Sequence, residues 1–123
     1  CVMAIKFDHI HLKSQDSLKT AQWYVDNLGA KIVFELQTAP NSFRLDLHGL
    51  AMNVTPFYQD QTHQQLRGIE HIAVETDEMD SLVDGLKANG ARILEQTTFS
   101  GGRRVCFLES PDGVQLEIRE MVK

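Results

Sequence analysis

Two histidines, a glutamate and an asparagine recur at nearly the same interval along this 123-residue chain. His9 and His71 are separated by 71 − 9 = 62 positions, and Asn53 and Glu117 by 117 − 53 = 64. His9, His71 and Glu117 make a two-histidine, one-carboxylate set, which suits a divalent transition metal and leaves coordination positions open. Open positions matter because a catalytic metal binds water or substrate as well as protein. Asn53 adds a carbonyl oxygen, a neutral donor weaker than a carboxylate. Singly, each residue is unremarkable, since a lone histidine is more often a hydrogen-bonded core or surface residue. It is the spacing that makes them a candidate site.

The spacing belongs to a longer repetition. Phe7-Asp8-His9-Ile10-His11-Leu12 is answered by Ile69-Glu70-His71-Ile72-Ala73-Val74. Gly29-Ala30-Lys31-Ile32-Val33 is answered by Gly90-Ala91-Arg92-Ile93-Leu94, an offset of 90 − 29 = 61. Leu50 to Thr55 is answered by Val114 to Arg119. Matching segments in matching order indicate two copies of one supersecondary unit. Two such copies can be related by a pseudo-twofold axis, so equivalent positions can converge.

Lys6 to Lys13 alternates with period two, which predicts a strand. Ser14 to Asn27 switches to helical spacing, with Leu18, Ala21, Tyr24, Val25 and Leu28 on one stripe and Gly29 placed to end it. In the second copy Met79, Leu82, Val83 and Leu86 form the stripe, closed by Asn89-Gly90. Three short strands follow each helix, near 30–37, 43–48 and 50–55, then near 91–98, 103–109 and 114–120. The order is β-α-β-β-β, twice. This predicts an α+β chain, a single domain over 1–123 made of modules at about 5–56 and 68–121. Pro56 to Arg67, Gln-rich and without apolar periodicity, reads as the linker at about 56–67.

Alternation then sorts the side chains. The helices claim the face carrying Ile10, Leu12, Met52, Val54, Ile72, Val74, Leu116 and Ile118. The opposite face receives His9, His11, Ala51, Asn53, Thr55, His71, Ala73, Gln115, Glu117 and Arg119. The competing expectation is that this polar face simply meets water, as one side of many antiparallel sheets does.

The composition, 42% hydrophobic and 24% charged with a net charge of −5, is that of a soluble globular protein and is not basic enough for nucleic acid as the main partner. No apolar run approaches the roughly 20 residues of a membrane span, and the N-terminus lacks a secretory apolar region. A chain beginning Cys1-Val2 reads as a trimmed start, so Cys1, Val2 and Met3 carry no functional weight. Two cysteines, Cys1 and Cys106, are too few for a disulfide framework, and a cytoplasmic location is expected. Cys106, between Val105 and Phe107 in a strand, reads as a buried inert thiol. His48 and His63 read as structural or exposed, and Trp23 and Tyr24 as helix packing or a subunit contact. Gly101-Gly102-Arg103-Arg104 reads equally as an anion-holding arginine pair or as a turn with solvated arginines.

The chain resembles the vicinal oxygen chelate superfamily, which includes glyoxalase I, bleomycin resistance proteins and extradiol dioxygenases. The resemblance runs from about Phe7 to Glu120. It is carried by Asp8-His9-Ile10, Trp23-Tyr24-Val25-Asp26-Asn27-Leu28-Gly29, Glu70-His71-Ile72-Ala73-Val74 and, most specifically, Ser110-Pro111-Asp112-Gly113-Val114-Gln115-Leu116-Glu117. It implies a cupped eight-stranded mixed sheet of paired βαβββ modules with helices on the convex side. It also implies a divalent metal (Zn, Ni, Fe, Mn or Co) held by His9, His71 and Glu117, with Asn53 in the fourth position. In that family the metal binds two adjacent oxygens of a small substrate and stabilises an enolate-like or oxyanionic intermediate. Asn53 departs from the Glu or Gln usual there. An amide does not accept a proton near neutral pH, so acid/base work falls on Glu117, His11 or metal-bound hydroxide.

Three function classes follow. The first is a metal-dependent lyase, isomerase or epimerase of glyoxalase type. The second is an Fe(II)-dependent dioxygenase or a fosfomycin-type resistance enzyme using the same His-His-Glu site. The third is a non-catalytic small-molecule binder of bleomycin-resistance type, against which the retained His9, His71 and Glu117 count. A homodimer is expected, because short modules leave edge strands that need covering.

Overall fold

The computed structural model describes residues 4–37, 39–99 and 101–121; Cys1 lies outside them. The chain packs as two compact units. One runs from His9 to Glu70, and the other from His71 onward together with the residues ahead of His9. The elements in order are β1 (Ile5–Lys13), α1 (Ser17–Leu28), β2 (Lys31–Glu35), β3 (Phe43–Leu47) and β4 (Leu50–Thr55). They repeat as β5 (Gly68–Thr76), α2 (Met79–Ala88), β6 (Arg92–Thr98), β7 (Arg104–Glu109) and β8 (Gln115–Glu120). The α+β class and the doubled βαβββ order are those the sequence predicts.

Both repeats pair their strands in one pattern. In the first, the order is β2-β3-β4-β1, with β1 parallel to β4 and the other pairs antiparallel. In the second it is β6-β7-β8-β5, with β5 parallel to β8. A parallel neighbour needs a crossover, and the helix and two intervening strands supply it. The register shifts are duplicated too, between Ile32 and Phe34 in β2 and between Ile93 and Glu95 in β6.

Each repeat has its own apolar core on its helix side. Leu12, Ala21, Ala30, Phe43, Leu45, Met52 and Val54 form the first. Met79, Val83, Cys106, Leu108 and Ile118 form the second, with Val74 and Leu116 packed on it. The helix stripes differ in detail from the expected ones. Helix α1 starts at Ser17, because Asp16 caps it by accepting from Lys19 N at 3.1 Å. It buries Ser17 and Ala21 and packs Tyr24, whereas Leu18 and Leu28 remain 54% and 45% exposed. Ala21, with no side chain beyond Cβ, lets the helix lie close to the strands, and Leu18, three residues earlier, points about 60° away from it. Ile72, also assigned to the helix side, is 36% exposed.

Gly29 ends α1 in the left-handed region, at φ 71, and donates to Val25 O at 3.2 Å. The conformation is one that a side chain disfavours. A ring nitrogen of exposed His48 lies 2.6 Å from Leu28 O, so it donates to that carbonyl and ties the β3–β4 turn to the same helix end.

Candidate functional site

In the second repeat, Ser110-Pro111-Asp112-Gly113 forms a tight turn closed by Ser110 N on Val114 O at 2.7 Å, with Asp112 and Gly113 at positive φ. The turn feeds β8 alongside β5 so that Ala73 pairs with Glu117 and His71 with Gln115. His71 and Glu117 are 3% and 8% exposed, and His71 Nε2 lies 3.8 Å from Glu117 Oε1. Two donors bound to one ion at about 2.0–2.2 Å stand about 3.0–3.5 Å apart in octahedral or tetrahedral geometry. A closure of about 0.3–0.8 Å suffices, so this pair fits a metal ion. Phe107, opposite Glu117 on β7, meets His71 edge-on at 5.1 Å between ring centroids and restricts the imidazole.

In the first repeat, His9 and His11 project from β1, 1% and 5% exposed, with ring centroids 5.6 Å apart. His11 Nε2 lies 2.8 Å from Thr55 Oγ1, and Thr55 Oγ1 donates its own proton to Pro56 O at 3.0 Å. A hydroxyl has one proton to give, so His11 donates from Nε2, and in the neutral ring Nδ1 is the basic nitrogen. Tyr58 stands edge-on to His11 with centroids 6.2 Å apart. Asn53 is 6% exposed, and its Oδ1 accepts from Arg44 Nε at 2.6 Å. The metal-capable histidines His9, His11 and His71 are thus all buried.

Burial settles one expectation against the plain reading. Of the face expected to be polar, His9, His11, Asn53, Thr55, His71, Ala73, Gln115 and Glu117 are all buried. Polar groups are costly to bury without partners, so this is not a solvated sheet surface.

Sequence reasoning missed Lys13 and the role of the segment that follows β4. Lys13 continues the alternation of His9 and His11 and is 2% exposed. Its Nζ donates to Gln61 Oε1 at 3.1 Å and Gln65 Oε1 at 3.0 Å and sits 3.7 Å from the Tyr58 ring centroid. Buried Glu70 accepts from Leu66 N at 3.1 Å and from Gln61 Nε2 at 3.2 Å. Residues 56–67 carry no helix or strand, but they form a strap whose glutamines complete two buried charges. The signal was present as the parity 9, 11, 13, though a Gln-rich stretch without periodicity announces no partner.

The paired arginines are tied to carboxylates. Arg104 bridges Asp80 at 2.7 Å and Glu120 at 2.8 Å, joining α2, β7 and β8, and these bonds, Glu120 first, raise its pKa. Arg103 donates from Nε to Glu120 O at 2.7 Å and lies 3.7 Å from Glu75. Arg119 pairs with Asp8 at 3.2 Å. Cys106 is 1% exposed in the second core, where burial raises its thiol pKa, as an inert thiol requires. A cleft of about 330 Å³ lined by Met79, Asp80, Gln96, Arg104 and Cys106 lies on the helix side of this repeat, away from the face that bears His71 and Glu117.

The model of the Glyoxalase/Bleomycin resistance protein/Dioxygenase superfamily matches residues 6–118. The chain belongs to this superfamily. A solved superfamily member from Vibrio splendidus 12B01 shares 14% identity and a TM-score of 0.66, covering 98% of this chain and 100% of that one. A hypothetical protein of Bacillus halodurans C-125 gives a TM-score of 0.75 at 22% identity over 98% of this chain and 96% of its own. Methylmalonyl-CoA epimerase from Mycobacterium tuberculosis gives 0.65 at 20% identity over 96% and 89%. These likenesses establish the superfamily fold. A Brassica oleracea var. gemmifera protein, named provisionally as a lactoylglutathione lyase, is 20% identical over 92% of this chain, which spans 43% of that relative's length. Among the described residues, no helix is long and apolar enough to cross a membrane.

Proposed function

We propose that this superfamily member is a metal-dependent enzyme of glyoxalase type, a lyase, isomerase or epimerase acting on a small substrate with vicinal oxygens. His9, His71 and Glu117 would hold one divalent ion, with Asn53 a weak or outer partner. The observation that carries the reading is the buried His71–Glu117 pair at 3.8 Å, whose donor types and spacing fit an ion. When bound, the ion supplies Lewis-acid polarisation of adjacent substrate oxygens.

The remaining chemistry belongs to the chain's own residues. A carboxylate such as Glu117 accepts a proton from carbon beside a polarised carbonyl and returns it elsewhere, which is what isomerases and epimerases require. His11 is the second proton carrier, acting through Nδ1 while Thr55 holds Nε2. Phe107 stands edge-on to His71 and holds the imidazole in its orientation.

The test is an activity panel on protein reloaded separately with zinc, nickel, manganese, cobalt or iron. It comprises lactoylglutathione formation, methylmalonyl-CoA epimerisation, and solvent deuterium exchange into small 2-oxo and 2-hydroxy acids. Metal-dependent exchange or turnover supports the reading. Oxygen consumption confined to the iron form favours a dioxygenase. Ligand binding without exchange under any metal contradicts an enzyme and favours a binding protein.

A homodimer is part of the same reading. Edge strand β2 leaves Ile32, Val33 and Phe34 40%, 56% and 48% exposed, and such an edge needs covering. A monomer in sedimentation at micromolar concentration would contradict it.

A further inference from the structure

Lys13 follows His9 and His11 along β1 and is 2% exposed, a depth at which lysine is found only when paired. Its bonds lead back to His11 by a single path. Lys13 Nζ donates to Gln65 Oε1 at 3.0 Å. The same amide grips the backbone of Tyr58 on both sides, Oε1 accepting from Tyr58 N and Nε2 donating to Tyr58 O, each at 2.7 Å. A flipped amide would turn its NH2 toward both the ammonium and an N–H, so the orientation is forced. The ammonium also donates to Gln61 Oε1 at 3.1 Å and lies 3.7 Å from the Tyr58 ring centroid. One cation thus clasps the strap at residues 58, 61 and 65. All of these residues belong to the compact unit from His9 to Glu70.

Pro56 joins the clasped strap to β4. Its ring fixes φ and restricts Thr55 ahead of it, and Thr55 O is itself held by Ser14 N at 2.8 Å. The direction of the Pro56 carbonyl is then left to ψ of Pro56, which follows from where Phe57 and Tyr58 are held. That carbonyl takes the proton of Thr55 Oγ1 at 3.0 Å, which leaves the hydroxyl oxygen to accept from His11 Nε2 at 2.8 Å. Without Pro56 O as its acceptor, the hydroxyl can turn and donate to the ring instead. The neutral imidazole then carries its proton on Nδ1.

We propose that Lys13 is a positioning residue for His11. By clasping Tyr58 through Gln65 it keeps Pro56 O on the Thr55 hydroxyl, and so keeps Nδ1 the proton-accepting nitrogen of the His11 ring. Its consequence for turnover rests on the reading of His11 as a proton carrier, whereas the tautomer is measured without any turnover.

Nitrogen-15 NMR of metal-free, histidine-labelled protein at about pH 9, where unperturbed imidazoles are neutral, reads the tautomer of each ring. The His11 signals are those lost in His11→Gln. Wild-type His11 is expected to be protonated at Nε2, and Lys13→Met is expected to convert it to the Nδ1-protonated form. Gln65→Ala breaks the same path while leaving Lys13 bonded to Gln61, so it covers the case in which Lys13→Met does not fold. It should give the same conversion. An Nε2 proton retained in either folded variant, or a wild-type ring protonated at Nδ1, overturns the proposal. In whichever reaction the activity panel identifies, Lys13→Met should lower kcat by about 10-fold or more with KM little changed, because a positioned acid or base contributes roughly 100–10,000-fold. A converted tautomer with unchanged kcat supports the clasp and removes His11 from the reaction instead.

Discussion

Glu117→Gln is expected to release most of the bound metal and abolish most turnover while leaving the fold intact. The substitution keeps the shape of the side chain and removes the one charge of the proposed donor set. Glu117 is 8% exposed and lies 3.8 Å from His71 Nε2, so solvent does little to screen that charge. Losing a partner that merely supports a ligand already costs about 10–100-fold in metal affinity, so losing the charged ligand itself is expected to cost at least about 100-fold. Competition with a coloured chelator measures the loss, and an unchanged melting profile of the metal-free protein shows that folding is not its cause. Wild-type metal affinity in Glu117→Gln would remove this residue from the ligand set.

Leu45→Ala and Leu108→Ala should each cost about 2–5 kcal/mol, the range for truncating a buried leucine. The two are equivalent by the duplication (108 − 45 = 63) and are 0% and 1% exposed. Each sits in the core of its own repeat. Against a total stability of roughly 5–15 kcal/mol, either loss is a large fraction. Urea unfolding followed by circular dichroism reads it as a lowered midpoint. A midpoint unmoved in one variant and lowered in the other would show that the two cores are not equivalent supports of the fold.

Much of the fold was legible because it is written twice. Strand parity sorted His9, His11, Asn53, His71 and Glu117 onto one face before any pairing was known, since alternation is a local property. Gly29 and the Asn89-Gly90 pair were legible as helix ends for the same reason. What escaped was set by partners distant in sequence. Arg44 and Phe107 became meaningful only when the β3–β4 and β7–β8 registers placed them opposite Asn53 and Glu117. Lys13 is buried because Gln61 and Gln65 reach its ammonium, and no periodicity in 56–67 predicts that. Leu18 and Leu28 fell on the expected helix stripe but outside the core: Leu18 points about 60° from the buried Ala21, and Leu28 is the last residue of α1. A helix period tells which residues share a side and leaves the facing angle to packing.

The proposed ligand set of His9, His71 and Glu117 is tested most directly by the metal content of wild-type protein, His9→Ala and His71→Ala. All three would be reloaded with zinc, passed through a desalting column and measured by elemental analysis. The account predicts about one ion per wild-type chain and loss of most of it in each single variant, because either histidine contributes to the same site. Wild-type protein holding no ion, two ions with each variant losing one, or full retention after removing either histidine would contradict it.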